Sequence, residues 1–338
     1  MKVCIIGGTG LLGSEGAREL IARGHQVKTI ARREPSKDAG LPPEMEIASG
    51  NYMNISDEEI RQLFDGCDGF VFAAGIDERV EGPSPIYDLF KKNNIDTVER
   101  LLRIAKDCGV KHAVICGSYF AYFDKIWPEM KLSEAHPYIR SRRDQESVAL
   151  SFADDNFDVA VLELPYIFGT QPGRKPVWVF LVENIRSMKG VTMWPKGGST
   201  MVTIRQVGQA IAGAVERNHG GNCYPIGWYN LTWKEMLTIC HKHLGFPNKK
   251  IITIPKWMYA IGGKNLKKEQ QAKGIEGGLD MVKFADLQCS NQFIDKELGC
   301  VPLGVTEDDI DAAIGDSVRL CVDILDGKVK DIKAMQGG

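Results

Sequence analysis

An α/β fold is what this sequence predicts: a doubly wound parallel sheet with a smaller, mostly helical C-terminal lobe. Three observations lead there. Short β-branched runs alternate with helical segments from Lys2 to Leu164. Those runs are apolar enough to be covered on both faces, as parallel strands are. The chain has 338 residues, more than the roughly 100–200 of one ordinary domain, so a second lobe has room.

The elements follow in order. Lys2 to Ile6 (KVCII) is a strand, and Gly7 to Gly13 is a glycine loop. Ser14 to Arg23 is a helix with Ala17, Leu20 and Ile21 on one face, ended by Gly24. Gln26 to Ala31 is the second strand and Met45 to Ser49 a weaker third. Asp57 to Phe64 is a helix, with Ser56 placed to cap it. Gly69 to Ala73 is the fourth strand. Asn94 to Cys108 is a long amphipathic helix closed by Gly109, and His112 to Cys116 is the fifth strand. A helix over Pro137 to Phe152 and a sixth strand over Val159 to Leu164 follow. Right-handed crossovers make these a Rossmann-type domain.

After Gly169 the pattern loosens, and Gly190 to Ser199 is rich in Gly, Trp and Pro. A helix over Arg205 to Arg217 and a strand over Asn222 to Ile226 return to the regular pattern. From Leu231 the chain reads as mostly helical, ending in Glu307 to Leu325. The expected division is a dinucleotide-binding domain over 1–169, rejoined by 200–227, and a substrate lobe over 170–199 and 228–330. Lys264 to Lys273 reads as a solvated surface element or flexible loop. His241-Lys242-His243 reads as a solvated helix, because histidines two apart face different ways; no metal is expected.

Composition excludes several function classes. Lys and Arg number 42 against 44 Asp and Glu, a net charge of −2, so there is no basic excess for nucleic acid. Hydrophobic residues at 43% and charged residues at 25% are globular, not disordered. No apolar run of about 18 residues exists to span a membrane. The nine cysteines include no C-x-x-C pair. That reads as free thiols in a reducing compartment, and with no basic-then-apolar leader at Met1 it implies a cytoplasmic protein.

Chemistry enters at Gly7-Gly8-Thr9-Gly10-Leu11-Leu12-Gly13. Its G-x-x-G-x-x-G spacing, between a strand and a helix, gives a tight turn, close backbone approach and close packing. The helix N-terminus then offers N–H groups to a pyrophosphate. An acidic residue at the end of the second strand would hold a ribose 2′-hydroxyl. This strand runs instead into Arg32-Arg33. Two arginines suit a 2′-phosphate, which favours NADP over NAD.

These residues resemble the extended short-chain dehydrogenase/reductases of the epimerase/dehydratase superfamily, from Met1 to about Leu325. GGTGLLG matches that family's fingerprint. Gly50-Asn51-Tyr52 resembles its Gly-Asp element beside adenine, with Asn51 in place of the acid. Ala73-Ala74-Gly75 matches the small-residue strand end that lies along the cofactor, and Asn94 opens the helix matching the family's fourth. Pro165-Tyr166-Ile167-Phe168-Gly169 resembles the segment at the nicotinamide end; Pro165 and Ile167 are its candidate contacts. Glu163 stands where Arg is common.

The resemblance also implies the catalytic set. Ser118 falls on the family's catalytic Ser/Thr and Tyr138 on its tyrosine. The lysine four residues later is Arg142 here. Arg142 could supply a fixed cation and a ribose contact, but it cannot readily release a proton. Ser118 would orient a carbonyl oxygen, and Tyr138 would pass the proton as the hydride moves.

The substrate implied is a small molecule. Nucleotide-sugar enzymes of the superfamily carry an Arg-Asp pair where this chain has Ser199-Thr200, and acids where it has Arg205-Gln206. Tyr119 and Phe120, which follow Ser118 directly, and Tyr166, Phe168, Trp178 and Trp194 are candidate walls for a hydrophobic carbonyl compound or alcohol. The leading expectation is therefore an NADP-dependent reductase/dehydrogenase. A sugar-nucleotide epimerase or dehydratase with bound NAD, and a non-catalytic NADP-sensing or interaction protein, are the alternatives. The helices matching Asn94 to Cys108 and Pro137 to Phe152 are those through which many family members form homodimers.

Overall fold

Val3, Cys4, Ile5 and Ile6 are each completely buried, because the first strand lies at the centre of a sheet covered on both faces. The computed structural model describes residues 1–36 and 38–329; residue 330, the end of the expected lobe, lies outside them. The central strands are β1 (Lys2–Ile6), β2 (Gln26–Ala31), β3 (Glu46–Ser49), β4 (Gly69–Phe72), β5 (His112–Cys116), β6 (Asp158–Glu163) and β7 (Gly221–Pro225). They form one seven-stranded sheet in the order β7-β6-β5-β4-β1-β2-β3. Every pairing in it is parallel. Strand order reverses between β1 and β4, which places a crevice at their C-terminal ends.

The two faces carry separate cores. Val3, Ile5, Val71 and Val114 pack on one face with Ala210 and Ile211. Cys4, Ile6, Phe70 and Phe72 pack on the other with Ile60, Leu101 and Leu102. The helix Ile204–Arg217 lies against the helix Leu11–Ala22. Glycines permit the approach: a methyl group at Gly208 would sit 2.8 Å from the Glu15 carbonyl oxygen. In this way the helix after residue 203 packs back against the first helix beside the seven-stranded sheet.

The remaining chain builds a further core from Phe168, Trp178, Val182, Met201, Trp233, Leu237, Ile314 and Val318. A smaller sheet anchors it. The strand Gly198–Thr203 pairs with Tyr166–Phe168, Tyr229–Thr232 and Asn291–Gln292. Val191–Pro195 pairs in parallel with Lys250–Ile254.

Two sequence expectations need correction, and a third is narrowed. Lys264 to Lys273 is the solvated surface element of its two readings and not the loop: all but Lys273 belong to the helix Lys256–Ala272, and none of them is buried. His241 is not solvated; it is 1% exposed and its Nε2 lies 2.9 Å from Thr192 Oγ1. The helix expected from Asn94 begins earlier, as a turn at Tyr87–Phe90, then widens into a π-helix over Lys91–Asp96 before Thr97–Asp107. All nine cysteines are free. Among the described residues no helix is long and apolar enough to cross a membrane.

Candidate functional site

The glycine loop turns because Gly7 adopts φ +91°, in the left-handed region. Gly10 N–H then donates to the Gly7 carbonyl at 2.9 Å. The helix Leu11–Ala22 starts directly after, with Gly10 as N-cap and no side-chain cap. Its first N–H groups and its positive dipole end face the crevice without a competing side chain. A methyl group at Gly13 would lie 2.3 Å from the Gly7 carbonyl oxygen, so only glycine lets the loop close on the helix. Beneath it, fully buried Thr29 donates to the Ile5 carbonyl at 2.6 Å and accepts from Gly8 N–H at 3.2 Å. This cradle of backbone N–H groups fits a dinucleotide pyrophosphate. Thr9, Leu11 and Leu12 line it, each partly exposed.

The adenosine end follows along β2 and β3. Arg32 and Arg33 are exposed just beyond β2. Asn51 Oδ1 accepts from Met53 N–H at 3.1 Å, closing its own turn. Tyr52 stands edge-on to Phe72, with ring centroids 6.3 Å apart.

The catalytic candidates converge at the other end. Ser118 follows β5, is 6% exposed, and caps the helix Tyr119–Ile126 by accepting from Phe120 N–H at 3.4 Å. Phe120 stands edge-on to Tyr138, centroid to centroid 6.3 Å, and Phe90 does so at 5.5 Å. Tyr138 lies in the first turn of the helix Pro137–Leu150, and its backbone N–H donates to the Gly278 carbonyl at 2.9 Å. The residue is 3% exposed.

Arg142, one turn on, donates from Nε to the Tyr138 hydroxyl oxygen at 3.0 Å. Its other nitrogens donate to Gln145 Oε1 at 2.9 Å and to the Ile76 carbonyl at 3.2 Å. Gln145 in turn donates to the Asn94 carbonyl at 2.6 Å. The Asn94 side chain accepts from Ile76 N–H at 2.9 Å and donates to the Ile76 carbonyl at 3.0 Å. Asn94 thus spends both ends of its amide on the segment after β4, next to the widened turn that carries it. A methyl group at Gly75 would lie 2.5 Å from Asn94 Oδ1. The network thus fixes Ile76, the residue directly after Ala73-Ala74-Gly75.

Burial sets the protonation of the tyrosine. It pushes the Tyr138 phenol above its ordinary value, and the charges of Glu78 and Asp77 add to this. Arg142 opposes the shift without overcoming it. A cation four residues on does not produce a phenolate here, because the hydroxyl has been taken out of water.

Glu78 was not visible as a site residue in the sequence. Its carboxyl is pushed up by burial and by Asp77, with Arg79 and Arg142 opposing. It acts electrostatically on Tyr119, Tyr138 and Tyr166 together. No motif marks it; the segment after β4 that carries it meets Arg142 at the Ile76 carbonyl. Gln145 was missed too, because it lies on a buried polar stripe of its helix with Ser141, Arg142 and Glu146.

The expected aromatic wall is largely core. Phe168 and Trp178 are 1% and 7% exposed and stack with centroids 4.4 Å apart; they hold the lobe together and do not line an open cavity. Tyr119 is 2% exposed, and its hydroxyl donates to Gln292 Oε1 at 2.8 Å while accepting from Ser199 at 3.2 Å. Phe120 is buried against Tyr138. Tyr166 and Trp194 are half-buried. Pro165 is buried and Ile167 half-buried, its carbonyl accepting from Trp178 Nε1 at 2.9 Å.

Glu163 is fully buried, with Lys125 Nζ 2.9 Å away and Glu146 sharing that lysine at 2.8 Å. Burial pushes its carboxyl up to about 7. The strand Gly198–Thr203 is buried throughout, so the uncharged Ser199 and Thr200 lie in the interior. Arg205 is exposed and pairs with Asp308 at 3.2 Å. Among the described residues, no group of three or more His, Cys, Asp or Glu side chains is arranged to hold a metal ion.

Comparison with known proteins fits this geometry. Residues 3–227 match the sequence profile of the NAD dependent epimerase/dehydratase family. Vestitone reductase of Medicago sativa is 25% identical over 312 residues, spanning 82% of this chain and 91% of that one. A UDP-glucose 4-epimerase of Lactobacillus helveticus is 26% identical over 177 residues, 49% of this chain and 51% of its own. The solved structure of gox2253 superposes with a TM-score of 0.74 at 17% identity, covering 98% of this chain and 99% of that one.

Proposed function

The chain belongs to the NAD dependent epimerase/dehydratase family, and from that premise we propose that it is an NADP(H)-dependent reductase of a small hydrophobic ketone or aldehyde. The observation that carries this reading is the Tyr138 hydroxyl. It is buried between Phe90 and Phe120, held by Arg142, and kept as a neutral phenol. A neutral phenol is a proton donor, which reduction requires.

The loop Gly7 to Gly13 would hold the cofactor's pyrophosphate, Arg32 and Arg33 its 2′-phosphate, and Ala73 to Gly75 its length. When bound, NADP(H) supplies the hydride. Ser118 and Tyr138 hydrogen-bond the substrate's carbonyl oxygen, and Tyr138 delivers the proton to that oxygen as charge develops on it. Arg142 Nε then stabilises the phenolate left behind, through a charge-assisted hydrogen bond it already makes. The aromatic enclosure excludes water and favours an apolar substrate. The likeness to vestitone reductase supports the reductive reading.

The sugar-nucleotide reading has the epimerase relative in its favour. It is weakened by the strand Gly198–Thr203, where an exposed cation would be needed for a diphosphate and Ser199 is buried on Tyr119 instead. A screen of aliphatic and aromatic carbonyl compounds with NADPH, run beside UDP-hexoses, separates the two. Reduction of a carbonyl compound is expected; interconversion of a UDP-hexose without net NADPH consumption would reverse the assignment.

The raised phenol predicts the pH profile. The acid form is the active one in reduction, so kcat/KM stays level through neutral pH and falls only above the ordinary phenol value of about 10. A fall centred near about pH 7 would show that another group delivers the proton.

A further inference from the structure

The segment after the strand Tyr166–Phe168 crosses back over the glycine loop. There Gln171 Nε2 and Arg174 Nη2 both donate to the Thr9 carbonyl, at 3.1 and 2.9 Å. On the other flank it meets the chain beyond Arg32 and Arg33: a methyl group at Gly40 would lie 3.2 Å from Pro172 Cδ. Residues 171–174 therefore strap the glycine loop to the segment that follows β2.

Two features set this strap apart from a simple connection. Gln171 is 5% exposed, yet its Oε1 has no hydrogen-bond partner among the described residues. A buried amide oxygen is costly to leave in that state. Arg174 is half-buried and close enough to Arg32 for the two cations to repel; burial first, then Arg32, hold its guanidinium below the ordinary range. Two guanidinium groups drawn together, one exposed and one half-buried, are stabilised by an anion shared between them.

We propose that Arg174 is the second cation of the site that reads the cofactor's 2′-phosphate, with Gln171 Oε1 accepting from the adjoining ribose hydroxyl. This rests on the NADP reading above. A 2′-phosphate carries the negative charge that relieves the repulsion between Arg32 and Arg174. The bare 2′-hydroxyl of NAD does not, so the pair selects against NAD as well as for NADP. The strap makes the choice of cofactor a property of the second lobe too, since it leads directly into Trp178 and the aromatic stack on Phe168.

The test uses two small probes that differ by the phosphate in question, adenosine 2′,5′-bisphosphate and 5′-AMP, titrated calorimetrically into the full chain. R174Q keeps an amide to donate to Thr9 while removing the charge. It should lose roughly tenfold or more in affinity for the bisphosphate, the loss of one charge-assisted contact, and less than about threefold for AMP. R174K, which keeps the charge, should retain most of the preference. If the unaltered chain does not prefer the bisphosphate, the NADP reading falls and this inference with it. If it does, and R32Q abolishes the preference while R174Q does not, the cofactor reading stands and the role of the strap is wrong. Equal weakening of both probes by R174Q would also overturn it, by showing that Arg174 only props the loop or meets the shared 5′-phosphate.

Discussion

Tyr138→Phe is expected to lower kcat for carbonyl reduction by about a hundredfold to ten-thousandfold, the usual contribution of one general acid. Its ring stays between Phe90 and Phe120, with only the hydroxyl lost. Arg142 keeps its bonds to Gln145 and Ile76 when its Nε loses an acceptor, so the cofactor crevice should remain intact. NADPH affinity should therefore change by less than about threefold, and stability by about 1–3 kcal/mol for the unpaired donor. Stopped-flow reduction and fluorescence titration of the same preparation check both halves. Unchanged turnover would remove Tyr138 from the chemistry, and a collapse in cofactor affinity would make its role structural.

The second large effect is at the other end of the crevice. In Gly13→Ala the new methyl group would meet the Gly7 carbonyl oxygen at 2.3 Å and Gly8 Cα at 2.8 Å. Both are backbone atoms of the loop itself, so it must open to make room. Opening moves the N–H groups that face the pyrophosphate. NADPH affinity should fall by about a hundredfold, on the scale of two lost hydrogen bonds to a charged group, with about 1–3 kcal/mol lost in stability from overpacking. Gly262→Ala is the control. A methyl group there meets nothing within 4 Å, and cofactor binding should not change. Titration with NADPH and urea denaturation of the three proteins decide it; a Gly13→Ala protein that binds NADPH normally would place the pyrophosphate elsewhere.

Local pattern carried much of the fold. The strands β1, β2, β4, β5 and β6 were legible because each is a short apolar run bounded by a turn, and Ser56 was legible because it forms a complete capping box with Glu59. The glycine loop was legible because its steric demand falls on particular residues. What was not legible depends on contacts between distant segments. Met193 and Trp194 lie in a strand only because Lys250–Ile254 pairs with it. The π-turn at Lys91–Asp96 leaves no periodic mark, yet it carries Asn94 to Ile76. His241 sits on a polar-looking helix turn, but Thr192 comes from another strand to meet it.

The site divides the same way. Ser118, Tyr138 and Arg142 came from the resemblance of their segments to the family's motifs, and the structure places the last two in direct contact. Their environment was not inferable, because burial depends on which chain covers them. Gly278 and Phe90 close over Tyr138 from far along the sequence, and that enclosure raises the phenol despite the Arg142 cation beside it. Phe168 and Trp178 show the converse. Aromatic residues suggest a pocket wall and a lobe core equally, and only packing distinguishes them.

The central claim is that this site moves a hydride from NADPH to a carbonyl carbon. It is tested most directly with NADPH carrying deuterium at the hydride position and the carbonyl compound that the screen shows to be reduced fastest. Mass spectrometry of the product should find one deuterium on the carbinol carbon, with one NADPH consumed per alcohol formed. Product without deuterium, or UDP-hexose interconversion with the labelled NADPH unconsumed, would contradict the claim.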